Sequence, residues 1–474
     1  MRLLNVRTRK LETFFDDSIP PYAILSHTWG EEEVTFDDMQ HNVLSITELG
    51  KAGWAKIDHV CKEALDEGFS YVWVDTCCID KRSSSELSEA INSMFEWYAK
   101  AYICYAYLSD VNSRTELKDL QEDPNPNDEL EFLLTDFARS RWFTRGWTLQ
   151  ELIAPAEVNF FGKDWIYLGS NKSLSNGIGK ITGIDLDILR SGVYFTRARL
   201  NAIPIARKMS WAAKRKTSRL EDQAYSLLGI FGVNMPMLYG EGPKAFIRLQ
   251  EEIIKSCDDQ SIFAWEDPVD GNKSLLAPSP LAFVNSNRVI TCTTGFRSGP
   301  YLMTNKGLNI TLPVVETTEQ TYAILACRFA DNVRGPLALS LQNIEGEDVF
   351  GVSRTGRRLP IIDLTMLATA KTRSIFIQRE DFKALHHTPP PSDLLTTTGP
   401  DSRPGPVSFW VKTSFTKGIN NTSIIYPRPR HYWNSQTSVF WLPSGGTTCS
   451  LILKHSCDIG SEYVWSNDAQ GTSG

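Results

Sequence analysis

Three short runs, at residues 22–26, 71–74 and 102–108, are apolar at almost every position rather than at every second one. A strand of that kind is covered on both faces, as in a sheet of parallel strands wrapped by helices. Between the first two runs Ile57, Val60, Cys61, Ala64 and Leu65 recur at helical spacing, punctuated by Gly53 and Gly68. Between the second and third, Leu87, Ile91, Met94, Phe95 and Tyr98 share one helical face over residues 86–100. The order is β-α-β-α-β, and Val158 to Phe161 reads as a fourth strand with Trp165 to Leu168 as a possible fifth. The fold class is therefore α/β, a doubly wound parallel sheet. Such sheets bind ligands outside the carboxyl ends of their strands, near the switch in strand order. The polar residues that follow the first two strands, Ser26 to Gly30 and Asp75 to Asp80, are thus the expected rims of a pocket.

A second stretch, Arg139 to Pro155, brings in the chemistry. If Gly146 opens a helix and Pro155 closes it, Trp147 and Glu151 stand four residues apart on one face, while Leu149, Leu152 and Ile153 face a core. Arg139, Arg141 and Arg145 precede them. An acid, an aromatic plate and fixed cations are what a phosphorylated aromatic ligand requires. The structural alternative is that Trp147 is core and Glu151 pairs with an arginine.

The 474 residues are enough for two or three domains. From about Arg190 to 265 the chain reads as helical, with Ser218 to Glu221 forming a Ser-x-x-Glu capping box. Arg207, Lys208, Lys214, Arg215, Lys216 and Arg219 give this segment a basic face, suited to phosphate or simply to water. From residue 266 onward, Thr, Ser, Pro and β-branched residues predict a β-rich domain, most simply a sandwich, with a long loop from Pro389 to Pro406. Residues 110–128, acidic and holding Pro124 and Pro126, read as a surface loop. The expected domains are 1–189, 190–265 and 266–474.

Forty-nine basic against 56 acidic residues leave a net charge of −7, which argues against a protein built to coat nucleic acid. Nine scattered cysteines, several inside apolar runs, fit reduced thiols in a cytoplasmic setting. Charge enters at Arg2, too early for a signal peptide, and no apolar run reaches the ~18 residues of a membrane span. The usual dinucleotide fingerprint and the Walker Gly-Lys-Ser/Thr are both missing. His27, Asp75 and Cys77 offer base, orienter and nucleophile if the two strand ends adjoin, against a packing role for Cys77 and Cys78. Adjacent cysteines without a Cys-x-x-Cys partner make a poor zinc site. Glu151 with Asp75 or Asp80 offers a carboxylate pair, although one acid suffices for the chemistry below.

Three blocks carry a family resemblance. Tyr22-Ala-Ile-Leu-Ser-His-Thr-Trp-Gly30, Tyr71-Val-Trp-Val-Asp-Thr-Cys-Cys-Ile-Asp-Lys81 and Arg145-Gly-Trp-Thr-Leu-Gln-Glu-Leu-Ile-Ala-Pro155 resemble the signature blocks of the fungal HET (heterokaryon incompatibility) domain, in the same order. Met209 to Ile254 resembles the helical segment that often follows it. The resemblance implies a cell-death effector triggered by non-self recognition between fungal strains. More distantly, Trp147-Thr-Leu-Gln-Glu-Leu152 is similar to the Trp-Cys-x-x-Glu-Leu segment of TIR domains, whose flavodoxin-like plan matches the strand order above and whose glutamate is catalytic in NAD-cleaving members. Thr148 departs from that pattern, as does the insertion at 110–128.

The TIR likeness implies NAD as substrate with no further cofactor or metal, and Glu151 as the catalytic acid. Ser26, His27, Trp29, Gly30, Asp75, Asp80, Tyr98, Arg145 and Trp147 would bind substrate, with Trp29, Trp147 and Tyr98 as aromatic walls and Arg145 on the pyrophosphate. It also implies homo-oligomerisation on activation, while the HET resemblance implies a non-self recognition partner protein. A non-enzymatic, self-associating adapter is the rival expectation, and a Cys77–His27 hydrolase a third.

Overall fold

The computed structural model describes residues 1–15, 18–40, 50–112, 116–122, 124–191, 197–266, 274–296, 299–332, 334–345, 348–354 and 358–378, with short strands between 433 and 452. The chain divides into two compact units, Met1–His387 and Thr388–Gly474.

The first unit holds a seven-stranded sheet of β1 (Arg2–Asn5), β2 (Leu11–Thr13), β3 (Ala23–His27), β4 (Tyr71–Trp73), β5 (Ile103–Tyr107), β6 (Val158–Phe161) and β7 (Tyr167–Ser170). Their spatial order is β2-β1-β4-β3-β5-β6-β7. The middle four are parallel, but β1 pairs antiparallel with β4 and with β2 at one edge, and β7 pairs antiparallel with β6 at the other, so the expected parallel sheet is a mixed one. β7 has no choice of direction. The link 162–166 is far shorter than the dozen or so residues a parallel crossover needs. β1 and β2 lie in what reads as a polar lead-in, because their apolar residues are set among the charges of Arg2, Arg7, Arg9, Lys10 and Glu12.

In chain order the parallel strands lie 2-1-3-4, and the lateral direction reverses after β4. The switch point falls between β3 and β5, where Ser26 faces Ala106 and His27 faces Tyr107. Helix α1 (Gly53–Asp66) joins β3 to β4, and α2 (Ser84–Lys100) joins β4 to β5. Right-handed crossovers leading in opposite directions place them on opposite faces of the sheet. α2 is capped by Ser83, which accepts from the Glu86 N–H, and it buries Ile91, Met94, Phe95 and Tyr98. Each large side chain removed from water contributes about 1.5–3 kcal/mol. Trp73, wholly buried in β4, meets Trp97 and Tyr98 edge-on with centroids 5.6 and 5.8 Å away.

The helical segment is packed into the same core. A Cβ on Gly229 would sit 2.1 Å from Cβ of Phe95 in α2, so glycine alone permits that approach. Gly146 is held likewise against Thr217, and the two backbones exchange hydrogen bonds, Gly146 N–H to Lys216 and Lys216 N–H to Thr144. Between residues 302 and 377 six strands form a second sheet. The ladder closes, since Gly307–Glu316 pairs with both Lys371–Ile377 and Thr321–Ile324, giving a five-stranded ring with Leu302–Thr304 attached. A closed ring stands where a sandwich was expected. In the second unit Trp433–Asn434, Val439–Ser444 and Thr447–Ile452 form an antiparallel sheet. The loop from Pro389 to Pro406 lies outside the described residues. No helix among the described residues is long and apolar enough to cross a membrane.

Candidate functional site at the carboxyl ends of the parallel strands

The segment from Arg141 is a 3-10 turn (Arg141–Thr144) followed by α3 (Thr148–Ile153), whose flanking Trp147 and Ala154 are also helical in conformation, so the helix lies between Gly146 and Pro155 as expected. Thr148 ties the turn to the helix. Its hydroxyl bonds back to the Trp142 carbonyl and lies 3.0 Å from that of Arg145, holding the turn against the helix start.

Glu151 follows in the first turn of α3 and is 7% exposed. Its Oε2 accepts a 2.5 Å hydrogen bond from the Ser26 hydroxyl at the end of β3, and Ser26 in turn accepts from the indole N–H of Trp142 at 2.8 Å. Both supporting side chains are fully buried. Burial pushes the Glu151 carboxyl up to about 8; the Asp75 charge adds to this, while the Ser26 hydrogen bond and the charges of Arg145 and Arg215 oppose it. It is an acid that stays mostly protonated at neutral pH and is half-ionised only near pH 8, at the strand switch point.

Beside it, Asp75 opens a helical turn (Asp75–Cys78) after β4. Oδ1 meets His27 Nε2 at 3.0 Å, and Oδ2 accepts from the Trp29 indole at 2.8 Å. Lys56 Nζ lies 2.9 Å from His27 Nδ1 and also pairs with Glu33. An ammonium only donates, so Nδ1 accepts and Nε2 carries the proton given to Asp75. Burial alone would raise Asp75, but the His27 hydrogen bond, the Lys81 charge and the Trp29 N–H outweigh it and hold the carboxyl at about 2. Lys81 stands 3.5 Å from the centroid of the Trp29 ring, and the indole is 46% exposed. A fixed anion thus stands beside an acid of near-neutral pKa, with an exposed, clamped indole at the rim.

Ser26, His27, Trp29, Asp75 and Glu151 are brought together. Gly30 lies on the exposed rim, its N–H given to Glu33. Arg145 is half-buried and acts on Glu151 by charge. Tyr98 is 1% exposed and donates to the Leu25 carbonyl at 3.1 Å, so it supports the site from within the core and is not an aromatic wall. Trp147 is half-buried and its indole bears on Asp222 of the helical segment. Asp80 sits apart: its carboxylate binds the N–H and Nε of Arg82 in the turn before α2. Cys77 is wholly buried, its thiol held well above the ordinary value by the Cys78 contact and by burial, and both nitrogens of His27 are already engaged. That arrangement does not activate a thiol. All seven cysteines with described side chains are free.

Four contributors escaped the sequence. Lys56 sits in a helix whose apolar face was the only signal, and Lys81 closes the second block as an apparent loop charge. Trp142 was lost among aromatic neighbours. Arg215 belongs to a run that reads as one basic face, yet it is 9% exposed while Lys214, Lys216 and Arg219 are exposed.

An α/β domain with a buried acid on the carboxyl side of its parallel strands is thus the class of protein in hand. Residues 22–151 match the family model of the heterokaryon incompatibility protein (HET). Residues 244–291 match a domain of unknown function, DUF8212. Vegetative incompatibility protein HET-E-1 of Podospora anserina is 46% identical over 240 residues, which cover 50% of this chain and 16% of that protein. No solved structure matches the chain.

Proposed function

We propose that this chain is a cell-death effector of heterokaryon incompatibility that cleaves NAD at the nicotinamide–ribose bond, with Glu151 as the working carboxylate. The observation that carries the proposal is the Glu151 carboxyl, buried at the β3–β5 switch point and raised to about 8. The 2-1-3-4 order of the parallel strands, which flavodoxin-like and TIR-like sheets share, supports it. So does the likeness to a vegetative incompatibility protein.

Nicotinamide leaves neutral from a cationic pyridinium, so the leaving group needs little protonation. The demand is for negative charge beneath the ribose as oxocarbenium character develops, and for a surface that holds the base. Glu151 supplies the first once ionised. The approach of a cationic ring favours that ionisation, so binding NAD would expel the proton that burial retains. Trp29, oriented by Asp75 and Lys81, supplies an aromatic face. The glycosidic bond breaks as nicotinamide departs, and the ribose carbon is then attacked by water, which gives ADP-ribose and loses its proton to solvent, or by another nucleophile, which gives a cyclic or transferred product.

Self-association would be the switch, since a domain that consumes a central cofactor needs an off state, and a recognition partner would set it. Specific activity is then expected to rise with protein concentration. A second reading, a non-enzymatic adapter, draws on the same burial: an acid 7% exposed also suits a structural role. Incubation of the purified chain with NAD and chromatography for free nicotinamide separates the two, since an adapter yields none.

A further inference from the structure

Arg215 lies beyond the 22–151 match, on the residues that follow the helix Ile205–Ala212. Its guanidinium is buried, with Nε donating to the Trp211 carbonyl at 3.2 Å. Nη1 is placed 2.9 Å from both the Arg145 carbonyl and the Thr148 hydroxyl, the two groups that join the 3-10 turn to α3. From there a chain of hydrogen bonds runs to the acid. Thr148 donates to the Trp142 carbonyl, the Trp142 indole donates to Ser26, and Ser26 donates to Glu151. Nη2 is buried with no hydrogen-bond partner among the described residues.

A buried guanidinium with an unsatisfied N–H is costly unless its charge is used. Mere anchoring of the turn would be served by a neutral donor. The geometry points to Arg215 as a positioning residue for Glu151, contributed by the helical segment: it locks the helix start that carries the acid and places one buried positive charge in its field. The inference rests on Glu151 being the working carboxylate. It adds that the α/β domain does not complete its own site.

The groups bearing on Glu151 come from every side. Ser26 stands on β3, Asp75 after β4, Tyr98 on α2 and Cys104 on β5; Arg145 precedes α3, and Arg215 reaches in from the helical segment. Asp75 opposes ionisation and the two arginines favour it. Asp75 is itself engaged by His27, Trp29 and Lys81, which leaves Arg215 as the buried cation held by hydrogen bonds to Glu151's own helix start.

The test is a pH titration of carbon-13 glutamate-labelled full chain, followed by carboxyl NMR, with Glu151→Gln identifying the resonance. Arg215→Met is expected to raise the Glu151 midpoint by about one unit or more, as loss of a nearby opposite charge does. Arg215→Lys keeps the charge but cannot fork between the Arg145 carbonyl and Thr148, so its midpoint rises less while staying measurably above that of the parent. If Arg215→Met does not fold, the lysine variant decides alone. A midpoint equal to the parent's in any folded variant overturns the inference. The readout needs no turnover: a parent that releases no nicotinamide yet shows these shifts would sink the NAD proposal and leave Arg215 as the positioning residue of this acid.

Discussion

Replacing Glu151 with glutamine is expected to stabilise the protein in mild alkali and to leave it almost unchanged in acid. The carboxyl stands at about 8 in the folded chain against an ordinary 4.5. Between those values the unfolded chain has released its proton and the folded one retains it. Folded-state stability therefore falls as pH rises through that window, and the loss is complete once pH passes the folded value. One pH unit is worth about 1.4 kcal/mol, so the climb from about pH 5 to about pH 8 costs the parent roughly 3–4 kcal/mol that a neutral amide does not incur. Glutamine keeps the volume and can still accept from Ser26. Thermal melts of the two proteins, run side by side at several pH values, should coincide near pH 5 and separate by several degrees near pH 8, with the variant higher. Parallel curves across that range would refute the reasoning, because Glu151 would then have an ordinary carboxyl that is ionised throughout.

Three further substitutions probe the other parts. Trp29→Ala should cost less than about 1 kcal/mol of stability, the indole being 46% exposed, while raising KM for NAD about tenfold or more from lost stacking of ~1–3 kcal/mol; a large fall in Tm with unchanged KM would make Trp29 structural. Cys77→Ser should retain nicotinamide release, since the thiol is buried and unactivated, whereas complete loss in a folded variant whose parent is inactivated by iodoacetamide would favour thiol chemistry. Gly229→Ala forces a methyl into Phe95 and should cost about 1–3 kcal/mol in calorimetry, with the α/β part and the helical segment melting together; unchanged melting would show that the two do not share a core.

The parallel strands were legible because each lies in a run that is apolar at almost every position, and α1 and α2 because each is long enough to declare its period. Ile57, Val60, Cys61 and Ala64 are buried on α1, and Ile91, Met94, Phe95 and Tyr98 on α2, as their spacing required. The rims were legible too, since parallel order fixes which strand ends adjoin, and Ser26, His27, Trp29 and Asp75 meet there. What could not be read depends on direction rather than period. Trp147 and Glu151 are four residues apart, but spacing alone does not show that the Trp147 indole also bears on Asp222 of the helical segment. Arg215 looks no different in sequence from Lys214 and Lys216; only the packing of the helical segment buries it and leaves them exposed. The mixed sheet was hidden because the few apolar residues of β1 and β2 are set among charges, Arg2, Arg7, Arg9, Lys10 and Glu12, and form no apolar run.

The measurement that bears most directly on the central claim is nicotinamide release from NAD by the purified full chain, recorded as kcat/KM against pH for the parent and for Glu151→Gln. The parent is expected to gain activity as pH rises and to level off above about 8, where the free carboxyl is ionised, and folded Glu151→Gln is expected to be inactive throughout. Release by folded Glu151→Gln at the parent's rate, or no release by the parent at any pH or protein concentration, would contradict it.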